Sequence, residues 1–125
     1  MSIVGLDHVQ VGAPAECEDE ARAFYAGLLG LDEIPKPPLL AARGGCWFRV
    51  GAQELHVGVA EGFVPATKAH PGIDVSSADA LEEMATRLVE AGVEVEWADP
   101  AELGGRVRFH VHDPWGNRLE LLAPR

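Results

Sequence analysis

Cysteine is nearly missing from this chain: Cys17 and Cys46 are the only two. Their spacing fits no disulfide framework, so the fold has to stand without staples, and both read as reduced thiols of a cytoplasmic protein. Basic residues are also few, ten Lys and Arg against 20 Asp and Glu, for a formal net charge of −10. That balance lacks the basic footprint needed for nucleic acid or for an anionic membrane surface. No apolar run approaches the ~20 residues of a membrane span. The opening "MSIVGLDHVQ" has no basic segment followed by an apolar one, so no signal peptide is expected. What is present is ordinary globular material: 125 residues, 47% hydrophobic and 24% charged. One domain of this length buries roughly 65–70% of its unfolded surface, enough for a real core.

The chain repeats itself. Residues 3–12, "IVGLDHVQVG", are rich in β-formers and read as a strand. Pro14 and the acids Glu16, Glu18, Asp19 and Glu20 then signal a helix start. Ala21, Phe24, Tyr25, Leu28 and Leu29 recur at helical spacing, and Gly30 can end the helix in the left-handed conformation. The second half starts again with "HPGIDV". Ser76 with Asp79 resembles a helix-start box. Leu81, Met84, Leu88 and Val89 give the apolar face, and Gly92 closes it. His8 to Gly30 and His70 to Gly92 are both 22 residues. Strands are expected at about 32–35, 45–50 and 53–59, and again at about 93–97, 106–112 and 118–122. "VGAQ" and "DPWGN" carry turn chemistry. "PKPPLLAARGG" reads as a loop in which Arg43 is solvated, and about 60–69 reads as a linker.

The segments "LDHVQV", "ARAFYAGLLGL", "LHVGV", "KAHPGIDV" and "DPWGNRLELL" resemble the glyoxalase / bleomycin-resistance / extradiol dioxygenase group, the vicinal oxygen chelate superfamily. The resemblance covers nearly the whole chain. It implies an α+β fold, a single domain over 1–125 made of two paired βαβββ modules, about 1–62 and about 67–125, forming half-barrels around a pocket. It also implies a homodimer and a divalent metal ion bound by residues that fall here on His8, His56, His70 and Glu120.

Two or three imidazoles with one carboxylate suit Zn, Fe, Mn, Ni or Co. Such a set serves in non-haem oxygenases or as a Lewis-acid site. Glu120 stands between Leu119 and Leu121, and His56 between Leu55 and Val57. A carboxylate in an apolar strand is either solvated at an edge or paired or metal-bound inside. His56 is read either as a fourth ligand or as a catalytic group that positions substrate or moves a proton. Glu120 could serve as a base beside the metal. Pro71, after His70, removes a backbone N–H and makes that strand irregular or an edge. Strand phase adds pocket candidates. Gln10 shares a face with His8, and Trp47 would be an aromatic wall. Arg108 and His110 share a face with His112. If that face looks inward, Arg108 could hold an anion and His110 could act as acid or base; if outward, it is merely solvated. Arg118, two residues from Glu120, could pair with it.

Two classes of function follow. One is a metal-dependent enzyme acting on a small oxygen-bearing substrate, by lyase or isomerase chemistry or as a dioxygenase. The other is a metal-free protein that binds a drug or small molecule, as bleomycin-resistance members do. A degenerate member with a structural role is a third possibility.

Overall fold

The two glycines that match in the sequence repeat both take the left-handed conformation, Gly30 with φ 76° and Gly92 with φ 84°. Each ends a helix there, as a residue without a Cβ can do at little cost. The structure is a computed structural model and describes residues 2–124. The chain divides into two compact units, Met1–Val64 and Pro65–Arg125. The fold is α+β, and each unit is one βαβββ module.

The first unit holds β1 (His8–Ala13), α1 (Glu18–Ala21), β2 (Asp32–Ile34), the short α2 (Pro38–Ala41), β3 (Cys46–Val50) and β4 (Gln53–Val59). Its sheet has the order β1-β4-β3-β2, with β1 parallel to β4 and the other pairs antiparallel. The first helix does not stay α-helical. From Arg22 to Leu28 it widens into a π-helix, with Leu29 N donating to Phe24 O at 3.0 Å. Ala21, Phe24, Tyr25 and Leu29 are buried. Tyr25 meets Phe24 edge-on and tilts against Phe48 of β3, at 5.0 and 5.5 Å between ring centroids. Phe48, Leu55 and Val57 fill the other side of this core. Each such side chain contributes about 1.5–3 kcal/mol by leaving water.

The strand expected from Ile3 begins only at His8. Its partner β4 starts at Gln53, and His8 pairs with Glu54, so the chain before Asp7 has no strand to join. Ile3, Val4 and Leu6 stay exposed.

The second unit holds β5 (Gly72–Asp74), α3 (Ala78–Glu90), β6 (Glu96–Trp97), a 3-10 turn (Pro100–Leu103), β7 (Val107–His112) and β8 (Arg118–Ala123). The strand order β5-β8-β7-β6 repeats that of the first unit, again with the first strand parallel to the last. Ser77, not Ser76, caps α3: its backbone is extended and its Oγ accepts from Ala80 N at 3.1 Å. Such a cap is worth about 1 kcal/mol. Leu81, Ala85 and Leu88 form the buried face of α3, which packs on β8. Strand β5 starts after Pro71, which cannot donate but whose carbonyl accepts from Glu120 N at 3.0 Å. The "DPWGN" turn is tied by Asp113: its Oδ1 accepts from Trp115 N and Asn117 N, and Asn117 Nδ2 donates to its Oδ2.

Candidate functional site

In the second unit the turn fixes the register of the β7–β8 hairpin, and that register places His110 opposite Glu120 and Arg108 opposite Leu122. Facing residues of an antiparallel pair point to the same side. The opposite side carries Phe109, Leu119 and Leu121 into the core. The polar side brings His110 Nε2 and Arg108 Nη1 each to 3.0 Å from Glu120 Oε1. His70 arrives from just before β5, which pairs Gly72 with Glu120. Its Nε2 lies 3.4 Å from the same oxygen. Its ring stands edge-on to that of His110, with centroids 5.5 Å apart.

His70, His110 and Glu120 each offer a ligand atom, all within 4.8 Å of one another. Their donor set suits a first-row divalent cation. His70 Nδ1 is 2.8 Å from Lys68 O, a carbonyl that can only accept, so Nδ1 carries the proton. Nε2 is then the ring atom turned toward the carboxylate. Two acceptors cannot face each other at 3.4 Å without a positive charge between or upon them. A proton on the ring would serve, and so would a cation.

Charge is tightly balanced around Glu120. Burial alone would raise its carboxyl, but Arg108 beside it and the His110 hydrogen bond outweigh burial and hold it below the ordinary value. Burial lowers His110, with Arg118 and Arg108 adding to the effect against the pull of Glu120. Arg108 also reaches Glu102, at 3.0 Å. It is therefore Arg108 that forms the ion pair with Glu120, while Arg118 stands opposite His112. Arg108 Nε is buried and has no acceptor among the described residues.

The first unit carries a different cluster. His56 on β4 is buried and sandwiched between two rings. Trp47, its partner across β3, stacks at 3.9 Å and 1°, and His8 stacks at 4.2 Å and 15°. His56 Nε2 donates to Glu54 Oε1 at 2.8 Å. His8 Nδ1 is held by Asp7 Oδ1 at 2.8 Å, which leaves its Nε2 free. So the two histidines at matching repeat positions share one device. An oxygen just upstream holds Nδ1–H, and Nε2 remains available as a ligand.

Beside this stack is a cavity of about 250 Å³, lined by Gln10, Lys36, Leu40, Arg43, Trp47 and Val59 among others. Gly58 gives Gln10 its place: a Cβ on Gly58 would sit 2.7 Å from the Gln10 amide. Gln10 and Trp47, pocket candidates by strand phase, both lie on this lining, and so does Arg43, which is exposed as expected. Strand phase also gave His110 a face without a partner. Counting outward from the Asp113–Asn117 turn would have paired His110 with Glu120 from sequence.

Comparison with known proteins follows the same lines. A sequence profile of the family described as Glyoxalase/Bleomycin resistance protein/Dioxygenase superfamily matches residues 5–121. A glyoxalase family protein from Bacillus anthracis is similar over its crystal structure, with 47% identity, TM-score 0.91, and coverage of 100% of this chain and 98% of that one. Lactoylglutathione lyase from Agrobacterium tumefaciens matches with 21% identity and TM-score 0.73, covering 98% and 96%. The genomically encoded fosfomycin resistance protein FosX from Listeria monocytogenes matches with 18% identity and TM-score 0.78, covering 98% and 95%. At these identities the last two likenesses speak to fold alone. No curated protein matches the chain.

Proposed function

Since the chain belongs to the glyoxalase/bleomycin resistance/dioxygenase superfamily, we propose that it is a divalent-metal-dependent enzyme acting on a small oxygen-bearing substrate. The observation that carries this reading is the convergence of His70, His110 and Glu120, whose ligand atoms all lie within 4.8 Å of one another. Those three residues would hold the cation. His8 and His56 are the further ligands that the family resemblance suggests. Bound there, a divalent cation would polarise adjacent substrate oxygens as a Lewis acid.

The chain's own groups have separate tasks in this reading. Lys68 O and Asp7 fix the tautomers of His70 and His8. His110, shifted toward its neutral form, donates Nε2–H to Glu120 and would give up that proton where a cation takes its place. His56, hydrogen-bonded to Glu54 and walled by Trp47, is placed to move a proton without swinging. The unsatisfied Arg108 Nε–H would find its acceptor in a substrate oxygen, recovering the roughly 1–3 kcal/mol that an orphaned donor costs. Proton transfer next to a polarised carbonyl, as in a lyase or isomerase, uses all of these groups. Dioxygenase chemistry would need iron in the same place.

One observation favours the second reading, a metal-free binding protein. Arg108 and His110 already supply Glu120 with partners that do not require an ion. Metal analysis by plasma mass spectrometry on untagged protein decides between the two. The enzyme reading expects near-stoichiometric metal, lost in His70→Ala, Glu120→Gln and His110→Ala with unchanged far-ultraviolet circular dichroism. If His8→Ala and His56→Ala also lose metal, both units supply ligands; if they keep it, the ion belongs to the second unit alone. Wild-type protein that binds no metal, even after dialysis against zinc, iron, nickel or manganese, would leave the binding-protein reading in place.

A further inference from the structure

We infer that the cavity of the first unit is a binding site for a small organic anion with a planar body, the anionic end held by Arg43 and Lys36 and the body laid on Trp47. The loop between β2 and β3 builds it. Pro35, Pro37 and Pro38 stiffen the outgoing arm, and α2 starts at Pro38. The return arm is pinned by Gly45, whose φ is 84° and where a Cβ would stand 2.1 Å from Val57 O. Only glycine lets the loop lie this close to β4. The loop therefore holds Lys36 and Arg43 at one cavity.

Charge makes the site specific. Arg22, Arg49, Arg106 and Arg108 each pair with a carboxylate. Lys36 instead donates to the carbonyl of Gly44, and no carboxylate reaches Arg43 among the described residues. The chain has twice as many acids as bases, yet no acid lines this cavity. Glu18 comes near the Gly44 wall, with Oε1 3.4 Å from where a Cβ would stand there, but it does not line the cavity. Two cations without carboxylate partners suit a carboxylate or phosphonate, which Arg can grip with two N–H donors. The Trp47 ring is backed by His56 at 3.9 Å, so it offers a rigid platform for a flat group. The Gln10 amide, fixed against Gly58, can donate to or accept from a polar substituent.

This site lies within the first unit and does not depend on the metal reading, so it is tested with chelator present. The probe is phenylphosphonate, and the readout is the Trp47 indole N–H signal in a nitrogen-15 correlation spectrum, assigned with Trp47→Phe. Phenylphosphonate should shift that signal saturably with a Kd of about 1 mM or tighter, while inorganic phosphate and benzyl alcohol each bind at least about tenfold more weakly. Arg43→Met should weaken binding by about tenfold or more, Arg43→Lys by less, and Glu18→Gln should tighten it. Arg43 is exposed, so these variants should keep the wild-type spectrum outside the loop. The inference fails if Arg43→Met binds as well as wild type, if benzyl alcohol equals phenylphosphonate, or if Trp97 or Trp115 responds and Trp47 does not. Phosphate binding as tightly as phenylphosphonate would overturn the assignment of the planar body. Repeating the titration in His70→Ala separates the two readings, because loss of the metal site should leave this binding intact.

Discussion

Replacing Arg108 with Met should weaken the apo protein and tighten its hold on metal. The side chain is 19% exposed and faces Glu120, itself 10% exposed, at 3.0 Å. Removing one partner of a buried pair costs about 3–5 kcal/mol, mostly for the charge left behind. Two features reduce that cost here. His110 still donates to the same Glu120 oxygen, and the variant also removes the orphaned Arg108 Nε–H. The arm to Glu102 is solvated and adds little. A loss of about 2 kcal/mol is therefore expected in urea unfolding with chelator present. With zinc the sign reverses. A guanidinium on Glu120 repels an incoming divalent ion, and at close range with an effective dielectric of about 20 that repulsion is several kcal/mol. Part is returned because the carboxylate loses a group that favours its ionised form. Calorimetry should still find zinc bound at least about tenfold more tightly, roughly 1.4 kcal/mol, than by wild type. Apo stability within about 0.5 kcal/mol of wild type, or zinc binding that is unchanged or weaker, would refute this account of Arg108 as a built-in counter-ion.

The alkaline limb of stability should report Cys46. Burial, then Glu33, pushes its thiol up to about 11 from an ordinary 9.0, so its contribution is complete below pH 9 and is lost as pH rises through 11. The unfolding free energy from urea titrations should fall by up to about 3 kcal/mol between pH 8 and 11, less in Cys46→Ala, and a flat profile would contradict this. Gly45→Ala should be far more damaging than Gly58→Ala, because the new methyl meets a backbone carbonyl in one case and the movable end of Gln10 in the other. Thermal melts of the two variants compare them directly, and equal losses would count against the close-approach argument. Light scattering at micromolar concentration should give a dimer mass, since the edge strand β1 and the exposed Ile3, Val4 and Leu6 are costly if left bare.

The parts legible in the sequence were those fixed by local rules. Strand phase, the paired glycine stops and the "DPWGN" turn each depend on neighbours within a few residues, and β3, β4, β7 and β8 fall within a residue of the expected ranges. Where tertiary pairing decides, the sequence was silent. The strand expected from Ile3 loses its first five residues because β4 starts too late to pair with them. The π-helical stretch after Ala21 leaves no mark in an apolar pattern that α-helical spacing already explains. The stack of His8, His56 and Trp47 draws on three strands, and its order depends on β1 running parallel to β4. Arg43 is exposed, as its loop suggests, but that it also lines a cavity was not legible: loop composition shows stiffness and not what the loop lies against.

The parallel pairing of first strand with last also bears on how the protein is made. His8 has no sheet partner until Glu54 has been synthesised, and Gly72 none until Glu120 has. Each unit thus closes by its most distant contact, the kind that slows folding. On a ribosome the first unit can close while the second is still being translated, whereas the second must wait for β8. A premature stop within residues 118–123 would remove the strand that joins β5 to β7 and on which α3 packs. Such a product should be cleared by proteolysis, where loss of the exposed segment ahead of Asp7 should be tolerated.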